Sequence, residues 1–165
     1  QISWIYEENE YNYFINDVKS VSPDVPHDIS TSFCKEQGMD FDIVYDIFHG
    51  HLENCDKIIA HNAEFDLGII GNELKLRKHK KCKKYKNILK DLLESGDIIC
   101  TMKSTTELCK IKFSNGSKGY KYPKLDELYN FLTGENCEEF GQLHDSLVDC
   151  KLLKACYEIY IDLQL

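Results

Sequence analysis

Two short apolar segments, each followed directly by a helical pattern, most constrain the fold that this chain can adopt. Residues 58–60 precede a predicted helix at about 63–75, and residues 98–100 precede one that Thr101 can cap and that ends near Lys110. Short buried strands that alternate with helices are typical of α/β layer folds. The pattern therefore predicts an α/β fold in which a mixed central sheet is flanked by helices.

The rest of the chain supplies further elements of this fold. Residues 2–6 and 11–15 are rich in aromatic and β-branched side chains, and the polar run at 7–10 predicts a turn that joins them into a hairpin. Residues 17–38 are predicted to be an irregular connection because they contain prolines and a glycine. Capping residues and helical spacing predict further helices at about 40–54, 83–94, 123–134 and 145–161.

Length and composition bound the class of protein. A chain of 165 residues can bury a core of its own, so residues 1–165 are predicted to form a single domain. Charged residues make up 29% of the chain and no apolar run reaches the length of a membrane span, which indicates a globular protein outside the membrane. The chain begins at Gln1 without an initiator Met, so we expect an N-terminally truncated sequence.

The eight cysteines bear on the cellular compartment. No two of them form a C-x-x-C pair, which argues against a zinc site. Several occupy positions where an apolar side chain would pack, such as Cys100 in a predicted strand and Cys156 in the last helix. We therefore predict reduced, buried thiols and a cytoplasmic or nuclear location, where thiols stay reduced.

The charge of the chain is unevenly distributed. The net charge is −8, yet nine of the twenty basic residues lie between Lys75 and Lys90. A local basic patch can attract a polyanion even when the total charge is negative. The same run is equally typical of a solvated helical face and loop, so both interpretations stay open.

Two aspartates are predicted to point toward the core. At 100° per residue, Asp149 lies in the centre of the apolar stripe that Leu152 and Cys156 form on the last helix. Asp66 is followed by Ile69 and Ile70 at the i+3 and i+4 positions of its own helix. A buried carboxylate needs a cation or a hydrogen-bond donor. The alternatives are a metal ion, for which oxygen ligands favour Mg²⁺ or Mn²⁺, and a structural partner such as a backbone amide or a lysine.

One histidine lies close to this last helix. His144 precedes Asp149 by five residues, which places the two side chains on different faces of a helix. The imidazole is therefore predicted to act from the loop before the helix, either as a general base or hydrogen-bonded to the backbone. Asp145 is predicted to be a charge at the helix N-terminus rather than a metal ligand.

Three segments resemble the DEDDh 3′–5′ exonucleases, the DnaQ-like group that includes the proofreading subunit of bacterial replicative polymerase. Residues 59–66, with the sequence IAHNAEFD, are similar to the second motif of that family, and His144 with Asp149 is similar to its third motif, H-x(4)-D. Residues 119–129 are similar to the segment that leads to the third motif. The resemblance implies an RNase H-like exonuclease fold.

The resemblance also implies a function. It points to a metal-dependent 3′–5′ exonuclease, a hydrolase that releases nucleoside 5′-monophosphates from single-stranded 3′ ends of DNA or RNA. Asp66 and Asp149 would ligate two Mg²⁺ or Mn²⁺ ions, and His144 would be the general base. The implied substrate-binding residues are Asn62, Phe65 and, with a capping or packing role as its alternative, His61.

The first motif of that family, D-x-E, does not occur near Gln1. We therefore expect the first strand and two further acidic ligands to lie upstream, and we expect this chain to bind metal weakly and to cleave poorly or not at all. The rival hypotheses are a non-catalytic exonuclease-like module that binds nucleic acid or a DNA polymerase, and two aspartates that are merely buried structural acids.

Overall fold

The computed structural model describes residues 1–21 and 29–163. Pro23 and Pro26, which marked the predicted irregular connection, lie outside the described residues. The chain divides into two compact units. The first comprises residues 1–53 and 138–152, and the second comprises residues 54–137 and 153–165. We describe each unit by itself, and the single domain over residues 1–165 stays a prediction.

The first unit opens with a β-hairpin. Strand β1 (Ile2–Tyr6) pairs antiparallel with strand β2 (Asn9–Tyr13), in a register that places Tyr6 opposite Asn9. Glu7 and Glu8 form the two-residue turn, and both have positive φ, at 46° and 66°. A turn with two such residues matches the twist of a hairpin. The predicted hairpin is therefore confirmed, and its second strand begins two residues earlier than expected.

An aromatic cluster packs this hairpin against a helix. Trp4 on β1 stacks on Tyr11 at a centroid distance of 5.1 Å and meets Phe48 edge to face at 5.3 Å. The Trp4 indole Nε1–H donates a hydrogen bond to His51 Nδ1 at 2.9 Å. Tyr6 stacks on the His51 ring at a centroid distance of 4.5 Å. These contacts give the indole both the apolar surroundings and the polar partner that a buried tryptophan needs.

Two helices follow the hairpin. Helix α1 (Thr31–Gln37) begins after Ser30, whose Oγ accepts the Phe33 N–H at 3.1 Å. Helix α2 (Phe41–Leu52) begins after Asp40, whose Oδ1 accepts the Asp42 N–H at 2.8 Å. The predicted cap and extent of α2 are confirmed within two residues. The irregular connection predicted over 17–38 is wrong where α1 lies, because a serine cap starts a helix there that the apolar spacing does not mark.

Between α1 and α2 the backbone of three segments comes together. A Cβ on Gly38 would lie 2.3 Å from the Cys34 carbonyl oxygen, 2.8 Å from the Asn16 nitrogen and 2.9 Å from the Phe14 carbonyl oxygen. The backbone of Met39, the next residue, bonds to Phe14 and Asn16. Gly38 is therefore required by close approach of backbone atoms rather than by its own φ, which is −82°.

The second unit contains a parallel strand pair and the helices around it. Strand β3 (Ile58–Ala60) pairs with strand β4 (Ile98–Cys100) in register, Ile59 opposite Ile99. Each strand leads into a helix, as the sequence predicts. The helices of this part of the chain are α3 (Ala63–Leu76), α4 (Cys82–Ser95), α5 (Thr101–Ser104), α6 (Thr106–Cys109) and α7 (Leu125–Thr133). The short 3₁₀ turn (Glu138–Phe140) and helix α8 (Ser146–Asp162) up to residue 152 belong to the first unit, and the rest of α8 belongs to the second.

One predicted helix is interrupted. The expected helix over 101–110 breaks at Thr105, where the buried Oγ1–H donates to the Thr101 carbonyl at 2.8 Å. A threonine hydroxyl that bonds back to the helix competes with the backbone ladder. The ends of α4 and α7 do follow the sequence, because Gly96 and Gly134 adopt the left-handed conformation that ends many helices.

The mixed α/β class predicted from the sequence is confirmed. In place of a single mixed sheet, however, the described strands form two separate two-stranded sheets, one antiparallel and one parallel. Each pair lies in a different unit, and each strand is only three to five residues long. Among the described residues, no helix is both long and apolar enough to cross a membrane.

The eight cysteines all lie within the described ranges, and none of them is disulfide-bonded there. Cys34, Cys109, Cys137 and Cys156 are buried. Burial raises the pKa of the Cys156 thiol to about 12, so it stays protonated. The cytoplasmic or nuclear location remains a prediction.

Candidate functional site

The start of α8 carries two of the residues that the sequence singles out. Asp145 caps this helix, since its Oδ1 accepts the backbone N–H groups of Leu147 at 3.0 Å and Val148 at 3.2 Å. Burial of the carboxyl disfavours its charged form, but the hydrogen bonds from Gln1 and from these two amides outweigh burial and hold the pKa of Asp145 below its usual value. The predicted N-terminal role of Asp145 is confirmed.

His144 and Asp149 are linked through the backbone. The His144 N–H donates to Asp149 Oδ1 at 3.3 Å. His144 lies in the turn before α8 with φ at 71°, and its side chain is exposed, while Asp149 is half-buried. The backbone amide is the structural partner that the sequence left open for Asp149. A general-base role for His144 and a metal-ligand role for Asp149 stay predictions.

Asp66 does not point to the core as predicted. It is exposed on α3, and Ile69, which suggested the inward direction, is itself 48% exposed. Apolar residues lie on both faces of this helix, so the i+3 and i+4 neighbours of Asp66 did not identify its packed side. The inward orientation is therefore wrong, and the metal-ligand role of Asp66 stays a prediction.

The residues that precede α3 have structural contacts. His61 Nε2 lies 2.9 Å from the Pro123 carbonyl oxygen, and its Nδ1 lies 3.0 Å from Thr101 Oγ1. A carbonyl oxygen only accepts, so Nε2 carries a proton. Asn62 has the sequence type of a helix cap and occupies the N-cap position of α3 with φ at 82°, but its side chain makes no capping hydrogen bond. Its carbonyl oxygen instead accepts the Phe65 N–H at 2.9 Å. The packing role considered for His61 is the one that these contacts support.

The predicted site residues are divided between the two units. His61, Asn62, Phe65 and Asp66 belong to the second unit, and the 144–149 segment belongs to the first. Within residues 1–21 and 29–163, no group of three or more His, Cys, Asp or Glu side chains could hold a metal ion. Binding of Mg²⁺ or Mn²⁺ and contacts to nucleotides therefore rest on the sequence resemblance alone.

Helix α3 has a second, exposed apolar face in addition to its packed one. Phe65, Ile69 and Leu76 are 60%, 48% and 76% exposed, and at 100° per residue they fall within a narrow arc of the helix. The opposite face packs inside the second unit, where Ala63 and Leu74 are buried. We call the exposed set the α3 stripe. The signal for it in the sequence is a helix that is apolar on both sides, which is typical of a helix covered on both sides.

The turn between α3 and α4 forms a basic cleft. The Lys78 N–H bonds to the Lys75 carbonyl at 3.1 Å, and the His79 N–H bonds to the Leu74 carbonyl at 2.9 Å. This pair of bonds ends a helix with a residue in the left-handed region, here Lys78 with φ at 53°. A cavity of about 420 Å³ lies at this turn, and we call it the lysine cleft; its lining is Leu74, Lys75, Lys78, His79, Lys80, Cys82, Lys83 and Lys86.

Comparison with known proteins gives one informative match. A region of 97 residues, 56% of this chain, is 31% identical to HAUS augmin-like complex subunit 3 from Xenopus laevis. The matched region spans 16% of that protein. No family model matches the chain, and no solved structure matches it.

This match overturns the predicted activity. The relative is a subunit of a complex rather than a nuclease, and it does not point to nucleic acid or a DNA polymerase as partner. The predicted 3′–5′ exonuclease function, the hydrolase class, the rival nucleic-acid-binding or polymerase-binding module and the nucleic-acid partners are therefore wrong. The H-x(4)-D motif predicted catalysis, but in the structure its aspartate, Asp149, accepts the backbone N–H of His144 at the start of α8.

Proposed function

We propose that this chain is a non-catalytic protein-binding module that takes part in a multi-protein complex. Two observations support the proposal. The relative with 31% identity is named as a subunit of an augmin-like complex. In addition, α3 exposes large apolar side chains opposite its packed face, and surfaces of this kind mark protein interaction sites.

The α3 stripe is the surface that we assign to the partner. Complete burial of a Phe, Ile or Leu side chain contributes about 1.5–3 kcal/mol. The three side chains keep between 48% and 76% of their area exposed, so roughly half of that contribution is still available at each. Covering all three would therefore contribute about 3 kcal/mol, which corresponds to roughly a hundredfold in affinity.

The spacing of the stripe favours a helix as the occupant. Phe65, Ile69 and Leu76 follow one line along α3 at intervals of one and two turns. A second helix packs along such a line with its own apolar side chains between those of the first. The proposed partner element is therefore an apolar helical face on another subunit of the complex.

The proposal is tested by comparing complex assembly of the wild-type chain with assembly of a variant that lacks the α3 stripe. The chain is co-produced with the other subunits of an augmin-like complex and analysed by size-exclusion chromatography and calorimetry. The variant Phe65→Ser/Ile69→Ser/Leu76→Ser is expected to weaken assembly by about a hundredfold while its unfolding curve stays as in the wild type. Leu93→Ser is the matched control, because Leu93 is 68% exposed on a different helix.

Three outcomes would overturn this function. Assembly of the triple variant with wild-type affinity would show that the stripe is not the contact. A homodimer that depends on the stripe would assign the surface to a second copy of this chain. Mg²⁺-dependent release of mononucleotides from a single-stranded oligonucleotide would contradict the non-catalytic part of the proposal.

A finer fold assignment accompanies this function. We propose an RNase H-like fold of the DEDDh type, used here for assembly rather than for hydrolysis. The parallel pairing of β3 with β4 and the direct passage from β3 into α3 support it. On this assignment Asp66 and Asp149 bind Mg²⁺ or Mn²⁺ weakly. A crystal structure grown with Mn²⁺ tests both parts, through the strand order and through anomalous density at the two carboxylates.

A further inference from the structure

The lysine cleft brings five ammonium groups to one place. Its rim carries Lys75, Lys78, Lys80, Lys83 and Lys86, all of them exposed, while its floor is Leu74, His79 and Cys82. Its volume of about 420 Å³ lies within the range of ligand sites. The cleft therefore has the size and the concentrated charge that recognition of an anion requires.

These five charges are not paired with acidic side chains in the described structure. None of the five lysines takes part in an ion pair among residues 1–21 and 29–163, whereas Arg77 and Lys90 on the same segment pair with Glu73 and Glu94. The segment from Lys75 to Lys90 contains no Asp or Glu. Like charges that converge without a counter-charge repel one another, so an incoming anion removes an unfavourable interaction as well as adding a favourable one.

The backbone beneath the cleft is fixed in advance. His79 is 9% exposed, and its Nδ1 accepts the Lys81 N–H at 3.2 Å. The Cys82 N–H donates to the His79 carbonyl at 3.0 Å. Lys78 holds a left-handed φ of 53°, a conformation that costs a non-glycine residue free energy and that concentrates at functional sites. The turn that carries the cleft lysines is therefore held by these hydrogen bonds before any ligand binds.

The surroundings favour an acidic polypeptide over a nucleic acid. No Phe, Tyr or Trp side chain lines the cleft, and single-stranded nucleic acids are held largely by stacking on such rings. Removing the nine positive charges of the segment from the net charge of −8 leaves −17 on the rest of the chain. The negative charge of the rest of the chain would repel the part of a long polyanion that extends beyond the cleft. A short acidic segment would end within the cleft and would avoid this repulsion.

We infer that the lysine cleft binds a short segment rich in Asp and Glu on a protein partner. The inference rests on the proposed function, because it takes the partner to be a protein. It adds the chemistry of the recognised segment and a second contact site, next to the end of the α3 stripe at Leu76.

The experiment uses a fluorescein-labelled peptide of alternating Glu and Ser, and anisotropy measures its binding to the whole chain. The variant Lys75→Gln/Lys80→Gln/Lys83→Gln is expected to weaken binding by about tenfold. The matched control is Lys57→Gln/Lys112→Gln/Lys118→Gln, which removes the same charge from exposed positions of the same unit. The control variant is expected to bind within about twofold of the wild type.

Each outcome decides the inference. Equal weakening by both variants would show general attraction between charges and would overturn it. An oligothymidylate of equal charge that binds more tightly than the peptide would assign the cleft to nucleic acid and would also overturn it. Failure of the proposed function is distinguishable, because the Phe65→Ser/Ile69→Ser/Leu76→Ser variant then assembles normally while the peptide still depends on the cleft lysines.

Discussion

Replacement of Lys78 by glycine separates the effect of this residue on stability from its part in peptide binding. Lys78 ends α3 with φ at 53°, and its side chain lines the lysine cleft. Glycine adopts this conformation without steric cost. Lys78→Gly should therefore make the chain more stable and, at the same time, make it bind the acidic peptide less tightly.

The expected magnitude follows from two opposing terms. The left-handed conformation costs a residue with a Cβ about 1–2 kcal/mol, and this cost disappears in Lys78→Gly. The greater conformational freedom of glycine in the unfolded chain lowers this gain by about 0.5–1 kcal/mol. The net gain is about 0.5–1 kcal/mol in the free energy of unfolding, or a rise in Tm of roughly 1–4 °C for a chain of this size.

Lys110 provides the matched control. It ends α6 with φ at 51° and does not line the cleft. Lys110→Gly should raise stability by a similar amount and leave peptide affinity unchanged, whereas Lys78→Gly should weaken binding by roughly two- to fivefold. Urea unfolding is followed by far-UV circular dichroism, because the single tryptophan lies in the other unit. If Lys78→Gly lowers stability while Lys110→Gly raises it, the strain argument is refuted for Lys78.

Two further predictions concern the acidic residues. Asp145→Ala should lower the free energy of unfolding by about 1 kcal/mol near neutral pH, since it removes a helix cap. Because the pKa of Asp145 is held below its usual value of about 3.8, this difference is fully present above that value and is lost as the pH falls through the depressed pKa; urea curves that keep the difference at still lower pH would refute it. Asp66→Asn and Asp149→Asn should each weaken binding of Mg²⁺ in calorimetric titrations, and unchanged binding in both would leave these residues as structural acids.

The elements with strong local signals could be predicted from the sequence. Asp40 before α2 and Gly96 after α4 fix the ends of those helices through backbone conformation and capping, which are local properties. Helix α1 was missed because its signal is one serine cap and a single buried residue, Cys34. The break at Thr105 depends on which way one hydroxyl turns, and periodicity contains no information about that.

The candidate site was harder to predict because it depends on which face of α3 is packed. Periodicity identifies a packed face when one side is polar, and α3 has Leu74 on one side and Leu76 on the other. Asp66 was assigned to the wrong side for that reason. The lysine run was visible in the sequence, but its arrangement around a cleft requires the turn at Lys78, where a lysine takes a conformation expected of glycine.

The close approach at Gly38 has a consequence for how relatives of this chain are interpreted. Three main-chain atoms leave no volume for even a methyl group there, and main-chain atoms cannot rotate away as a side chain can. By contrast, a Cβ at Gly50 or Gly68 would meet no atom within 4 Å. Any homologue that keeps this crossing of segments must keep its smallest amino acid at the same column of an alignment. Invariance at that column would record crowding of the backbone and would say nothing about chemistry.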